Sequence, residues 1–229
     1  MPTSPILLLW DIDGTLLLVP GAGASAMTQT FQRLFAIPNA FAHVEFAGGT
    51  DSYIVDSAFQ QHHLDHQQYG MLFKTAYCRQ LSRTLKEYPG HILPGVSQLL
   101  QTLHKDPRFD LSLATGNYHD AAYIKLAHFG LDHYFPTGGF AEDGYTRDAI
   151  MTAARNNAEL YYQKHYTSCV VIADTVQDGL AAKQCGYPLL AVTTGKQSIQ
   201  DLQTVTPYVV PSLDDSSLVH LLLNIALSH

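Results

Sequence analysis

The sequence predicts a doubly wound α/β fold, a parallel sheet with helices on both faces, interrupted by an all-helical insertion. Three observations carry this. Apolar runs of three to five residues alternate with segments of helical periodicity, the pattern of a sheet whose strands are buried on both sides. Three of those runs end in clustered polar residues, as expected where strands deliver their carboxyl ends to a ligand crevice. Residues 20–89 carry helical patterns and no buried strand, and so long a stretch is improbable as a loop inside a domain.

Taken in order, Ile6–Trp10 is the first buried strand, and Asp11-Ile12-Asp13-Gly14-Thr15-Leu16 is the turn that leaves it. The insertion follows, with helices predicted over Ala22–Phe35, Asp51–Gln61 and Gln67–Lys86. Pro20-Gly21-Ala22-Gly23 and Tyr88-Pro89-Gly90 form its two linkers, with glycines that suit hinge motion. The expected division is a core of residues 1–19 and 90–229 and a helical domain of residues 20–89. The core continues with helix Val96–His104, strand Leu111–Ala114 and helix Asp120–Phe129. Helix Arg147–His165, strand Cys169–Ala173, helix Gln177–Cys185 and strands Leu189–Val192 and Tyr208–Val210 come next. Ser216–Leu227 closes the chain as an amphipathic helix.

Composition narrows the function. The 229 residues are 46% hydrophobic and 14% charged, which describes a globular protein. A formal net charge of −7 without a basic run disfavours nucleic acid as a partner. Cys78, Cys169 and Cys185 are odd in number and lack CxxC spacing, so neither a disulfide framework nor a thiolate zinc site is indicated. Cys169, which opens the run Val170-Val171-Ile172, reads as a buried core thiol. No apolar stretch approaches the ~20 residues that span a bilayer, and Ile6–Trp10 is too short for a signal peptide. A cytoplasmic setting is the expectation, with a monomer or homodimer both open.

The candidate chemistry lies at the strand ends. Asp11 and Asp13, one residue apart at the end of a buried strand, are costly to desolvate and need partners or a metal. Thr115-Gly116-Asn117 offers a hydroxyl and backbone N–H groups suited to phosphate oxygens, or a plain helix cap. Asp174 follows the strand Cys169–Ala173, and Asp178 falls in the first helical turn beyond it, where the helix dipole alone favours an acid. His119 reads as a surface histidine. Two motifs read as decoys. Gly21-Ala-Gly23-Ala-Ser-Ala26 matches a dinucleotide fingerprint, but only Glu45 stands near the required acidic position, so it reads as a hinge into a helix. His62 and His66 lie one turn apart without an evident third ligand, so they read as solvated surface.

The ordered set Asp-x-Asp-Gly-Thr-Leu, an apolar strand ending in Thr-Gly-Asn, then Ile-Ala-Asp-Thr-x-x-x-Asp resembles the haloacid dehalogenase-like hydrolase superfamily. It is most similar to the phosphoglycolate-phosphatase-like branch, with a helical cap inserted after the first motif. Leu93-Pro94-Gly95-Val96 and Gly48-Gly49-Thr50-Asp51 belong to the same resemblance, which covers essentially the whole chain. The resemblance implies Asp11 as nucleophile and Asp13 as general acid and base. It implies Mg²⁺ bound by Asp11, the Asp13 backbone carbonyl and Asp174, with Asp178 touching the metal through water or orienting its neighbours. Thr115, Gly116 and Asn117 would hold phosphate, and Thr50, Asp51 and Arg79 would read the substrate. Two departures stand out: Ala173 replaces the usual glycine before the metal aspartate, and Thr146-Arg147-Asp148 occupies the place of the usual lysine. Arg147 is the favoured catalytic cation and Lys125 the competing one.

The expected activity is Mg²⁺-dependent hydrolysis of a small phosphorylated metabolite through an aspartyl-phosphate. The alternatives are a sugar phosphomutase sharing the same core residues, a haloacid dehalogenase, and a catalytically silent binding protein that keeps the fold.

Overall fold

In the computed structural model of the chain, residues 5–44 and 49–228 are described. Glu45 and Gly48 of the sequence motifs therefore lie outside the described residues.

The sheet has six strands in the order β5-β4-β1-β6-β7-β8, with β1 Ile6–Trp10, β4 Phe109–Ala114, β5 Gly138–Gly139, β6 Cys169–Ala173, β7 Leu189–Val192 and β8 Val209–Val210. Every neighbouring pair is parallel, with Leu8 of β1 opposite both Leu111 and Val170. β1 is central, and all five of its side chains are buried. Its alternation explains why it is apolar throughout: Ile6, Leu8 and Trp10 join one core, while Leu7 and Leu9 join the core on the other face. The strand order reverses direction beside β1, so the crevice expected of such sheets falls at its carboxyl end.

Around the sheet lie α4 Val96–Lys105, α5 His119–His128, α6 Arg147–Tyr162, α7 Val176–Cys185, the short α8 Ile199–Leu202 and α9 Leu218–Leu227. α6 stops three residues earlier than the sequence predicts, because Gln163 turns into the left-handed region at φ 52°. β5 and α8 went unpredicted, since two and four residues are too few for any periodicity to register.

Between the short strands β2 Leu17–Leu18 and β3 His91–Ile92, the described residues hold three helices: α1 Ala22–Phe35, α2 Asp51–Gln61 and α3 His66–Thr84. Thr50 caps α2 by accepting from the Tyr53 N–H, and Asp65 caps α3 by accepting from Gln67. Phe31 sits at the centre of this segment, with edge contacts to Phe35, Phe41, Phe59 and Phe73 at ring separations of 4.9 to 5.7 Å. β2 and β3 pair antiparallel, Leu17 with Ile92 and Leu18 with His91, so chain entry and exit are clamped side by side. Gly21–Ala26, the fingerprint decoy, forms the entry and opening turns of α1.

Candidate active site

Four strand ends meet at one place. The turn after β1 brings Asp11, which is 4% exposed, beside Asp174 after β6 and Asp178 in the first turn of α7. Each of the three offers an oxygen, and these oxygens all lie within 4.8 Å of one another. One cation opposes them: Arg147, the first residue of α6, places Nη1 3.3 Å from Asp11 Oδ1 and 3.2 Å from Asp178 Oδ1. Three carboxylates against one guanidinium leave an excess of negative charge out of water. Burial pushes the Asp11 carboxyl up to about 7, with Arg147 opposing the rise and Asp178 and Asp13 adding to it. Burial, then the charges of Asp11 and Asp178, raise Asp174 to about 8.

Asp178 donates its backbone N–H to Thr175 Oγ1, and its carboxylate accepts from the same hydroxyl. Thr175 therefore caps α7 and at the same time holds Asp178 in the cluster. The other Asp178 oxygen, Oδ1, is buried and faces Arg147 at 3.2 Å without forming a hydrogen bond. Oxygen-only donors, excess negative charge and an unsatisfied carboxylate oxygen fit a hard divalent cation such as Mg²⁺, and the donor set lacks the nitrogen or sulfur that softer metals favour.

Asp13 turns away from this cluster. Its side chain is 46% exposed, and its Oδ2 accepts from Lys125 Nζ at 2.6 Å and from Asn117 Nδ2 at 2.8 Å. Burial works against its charge, yet the Lys125 ammonium and the Asn117 amide outweigh it and hold the carboxyl below the usual range. Lys125 reaches this point buried along α5 and also donates to Asn117 Oδ1 at 2.6 Å. Asn117 Nδ2 in turn donates to Thr115 Oγ1 at 2.8 Å. Both candidate cations are thus present, each serving a different aspartate.

Neither Thr115 nor Asn117 caps α5, whose N-cap is Tyr118. Carboxylates take the first amides there: Asp51 accepts the Tyr118 N–H at 2.9 Å, and Glu142 accepts the His119 N–H at 3.0 Å. Asp51 also donates its own N–H to Gly116 O at 2.6 Å, which seats α2 directly on the Thr-Gly-Asn loop. Burial lifts its carboxyl to about 6, against the pull of Lys125. Gly116 is wedged between Gly49 O and the Arg147 guanidinium, where a Cβ would fall 3.0 and 3.1 Å from them. Thr50 lines a cleft of about 410 Å³ beside Arg147, together with Tyr53, Tyr145 and Gln177. Arg79 is exposed on α3, and His119 is exposed against Asp120. His62 binds Ala40 O at 3.2 Å, and His66 pairs with Asp56, so the two histidines are separately occupied.

Two glycines press on Asp174: Gly14, in the tight turn that the sequence marks after β1, and Gly195, which escapes sequence reasoning. Gly14, at φ +87°, presses on Asp174 so closely that a Cβ would lie 2.3 Å from Oδ2. Gly195, in the loop after β7, approaches the same oxygen, with a Cβ position only 1.6 Å away. Thr194 ties the two glycine loops together by donating to Gly14 O at 2.6 Å. The only available signal is that this loop follows an apolar strand on the same sheet edge.

No curated protein matches the sequence. Among solved structures, a predicted phosphatase from Clostridium acetobutylicum matches with a TM-score of 0.66 and 20% identity, covering 96% of this chain and 99% of that one. A predicted phosphoglycolate phosphatase from Haemophilus somnus gives a TM-score of 0.65 at 19% identity, covering 96% and 99%. CbbY from Rhodobacter sphaeroides, in complex with phosphate, gives 0.68 at 14% identity, covering 93% and 96%. At these identities the likeness is one of fold. The sequence itself matches the family model described as haloacid dehalogenase-like hydrolase over residues 8–192. On that match, which runs from within β1 to the end of β7 and takes in every aspartate of the cluster, the chain belongs to the haloacid dehalogenase-like hydrolases.

Proposed function

We propose that this hydrolase is an Mg²⁺-dependent phosphatase acting on a small phosphomonoester, with Asp11 as nucleophile and Asp13 as acid and base. The observation that carries the reading is the opposite setting of two carboxylates one residue apart. Asp11 shares a charge-rich cluster with Asp174, Asp178 and Arg147, whereas Asp13 is half exposed and rests on Lys125 and Asn117. A nucleophile and a proton carrier need such separate environments.

In the first half-reaction an Asp11 oxygen attacks phosphorus, the bond to the leaving oxygen breaks, and Asp13 gives that oxygen its proton. In the second, Asp13 takes a proton from water, and the water oxygen attacks phosphorus and breaks the bond to Asp11. Inorganic phosphate leaves, and Asp13 holds the proton for the next cycle. A bound divalent cation, held by Asp11, Asp174 and Asp178 with the Asp13 backbone carbonyl, supplies charge neutralisation around the nucleophile and the transferring group.

Arg147 and Lys125 provide positive charge for the phosphate oxygens, and Thr115 with the Gly116 and Asn117 amides provides donors. What Lys125 gives to an incoming phosphate it withdraws from Asp13, whose proton affinity then rises as protonation of the leaving group requires. Residues 20–89 act as a lid hinged at the paired strands β2 and β3, and closure excludes water from the first half-reaction. The test is hydrolysis of p-nitrophenyl phosphate with and without Mg²⁺. Magnesium-dependent release of p-nitrophenol, lost in D11N, is expected. Absence of any magnesium-dependent turnover on this probe or on a panel of phosphorylated metabolites would overturn the reading. Conversion of a bisphosphorylated sugar to an isomerised monophosphate would move it to a mutase.

A further inference from the structure

Two side chains of the inserted helices meet the core outside the aspartate cluster, at a turn that the chemistry above does not use. Ser52, on α2, donates its hydroxyl to Ala141 O at 2.7 Å, and Lys74, on α3, pairs with Glu142. Both partners lie in residues 140–143, just beyond β5. This turn is closed on itself: the Phe140 N–H donates to Asp143 Oδ2 and the Asp143 N–H to Phe140 O, each at 2.9 Å. Among the described residues, Lys74 with Glu142 is the only ion pair between residues 20–89 and the core. The Lys74 ammonium also stands 5.4 Å from the centre of the Tyr118 ring, and its side chain is only 23% exposed. A partly dry pair of this kind is stronger than a solvated surface pair, yet it can still open.

The turn passes each contact on toward Asp13. Ala141 donates its N–H to Asn117 O at 2.9 Å. The Glu142 carboxylate accepts the N–H of His119, the first residue of α5, at 3.0 and 3.1 Å. Asn117 and α5 are the two supports of Asp13, since the Asn117 amide and Lys125, further along α5, both donate to its Oδ2. The carboxylate that receives the lid's lysine therefore also anchors the helix whose lysine holds Asp13.

We propose that Lys74 and Glu142 are positioning residues for Asp13: their pairing, made when the lid rests on the core, fixes α5 and the Asn117 loop so that Asp13 is aligned for proton transfer. The inference rests on the phosphatase reading. With the pair broken, the turn loses its charged tie to the lid and Asp13 loses the alignment that proton transfer demands.

Steady-state kinetics with Mg²⁺ on phenyl phosphate and p-nitrophenyl phosphate test it. Phenolate is much the stronger base and leaves well only with a proton from Asp13, whereas p-nitrophenolate leaves without one. Comparing kcat/KM confines the reading to the steps up to loss of the phenol, so the later attack by water does not enter. K74M keeps the stem of the side chain, and E142Q keeps an acceptor for the His119 N–H. Each should lower kcat/KM on phenyl phosphate by about fivefold more than on p-nitrophenyl phosphate. K74R, which restores the cation, should bring the ratio back to within about twofold of the wild type. Equal losses on both probes in K74M and E142Q, or no loss, would overturn the proposal, reduce the pair to packing and leave the phosphatase reading intact. A K74R ratio matching that of K74M would overturn it as well, because the charge would not be what matters. If neither probe is turned over, the proposal falls, and if the panel of phosphorylated metabolites is also inert, the phosphatase reading falls with it.

Discussion

The two halves of the site differ in how their charge is balanced. On one side, Asp11, Asp174 and Asp178 share a single guanidinium, and two of the three carboxyls are held far above their ordinary range. On the other, Asp13 and Lys125 balance one to one, with Asn117 bonded to both, and the Asp13 carboxyl falls below its range. The first half is incomplete as a set of protein charges and asks for a further cation. The second is complete as it stands. Two aspartates one residue apart are thereby given opposite electrostatic settings by their surroundings.

The largest effect should come from the nucleophile. D11N is expected to reduce kcat on p-nitrophenyl phosphate by about 10⁴-fold or more while a circular dichroism melt shows the fold retained. Turnover near the wild-type rate would remove Asp11 from the chemistry. The contrast between halves is sharpened by their cations. R147A leaves three buried carboxylates unopposed and should cost about 3–5 kcal/mol in urea unfolding of the metal-free protein. K125A exposes Asp13 at a half-open position, where solvent screening holds the cost to about 1 kcal/mol. Equal costs would mean that the charge imbalance is not real.

A smaller effect is expected from G195A. Its Cβ would fall on Asp174 Oδ2, so Asp174 must shift. The Mg²⁺ concentration for half-maximal activity should rise by roughly tenfold, on the order seen when groups that orient a metal ligand are altered. An unchanged magnesium requirement would show that the loop after β7 does not set the position of Asp174.

The pH dependence should be smaller still. Asp11 and Asp174 hold their protons more tightly folded than unfolded, so their contribution to stability is full below about pH 4. It is lost as pH rises through about 7 and about 8. The metal-free protein should therefore melt roughly 5 °C lower at pH 8 than at pH 5. A melting temperature that rises over that interval would contradict the raised carboxyls.

Much of this was legible in the sequence, for reasons that differ by residue. Asp11, Asp13, Thr115 and Asp174 stand directly after apolar strands, so the geometry of a parallel sheet already collects them on one edge. α1 and α2 match their predicted limits, because a glycine linker and a Thr50 cap mark where each begins. The partition of the cations was not legible: Arg147 and Lys125 compete on paper for one role, and only the fold assigns them to different aspartates. Gly195 was marked only by its place after an apolar strand, since what matters is the side chain it lacks.

The central claim, that the buried aspartates bind one divalent ion, is tested most directly by titrating Mg²⁺ into the protein at pH 7 by calorimetry in two buffers of different ionisation enthalpy. The account predicts saturable binding of one ion per chain with release of protons from the cluster, and loss of both in D174N. Binding that survives D174N unchanged, or no heat of binding up to ~10 mM Mg²⁺, about tenfold beyond the weak end of dedicated cation sites, would contradict it.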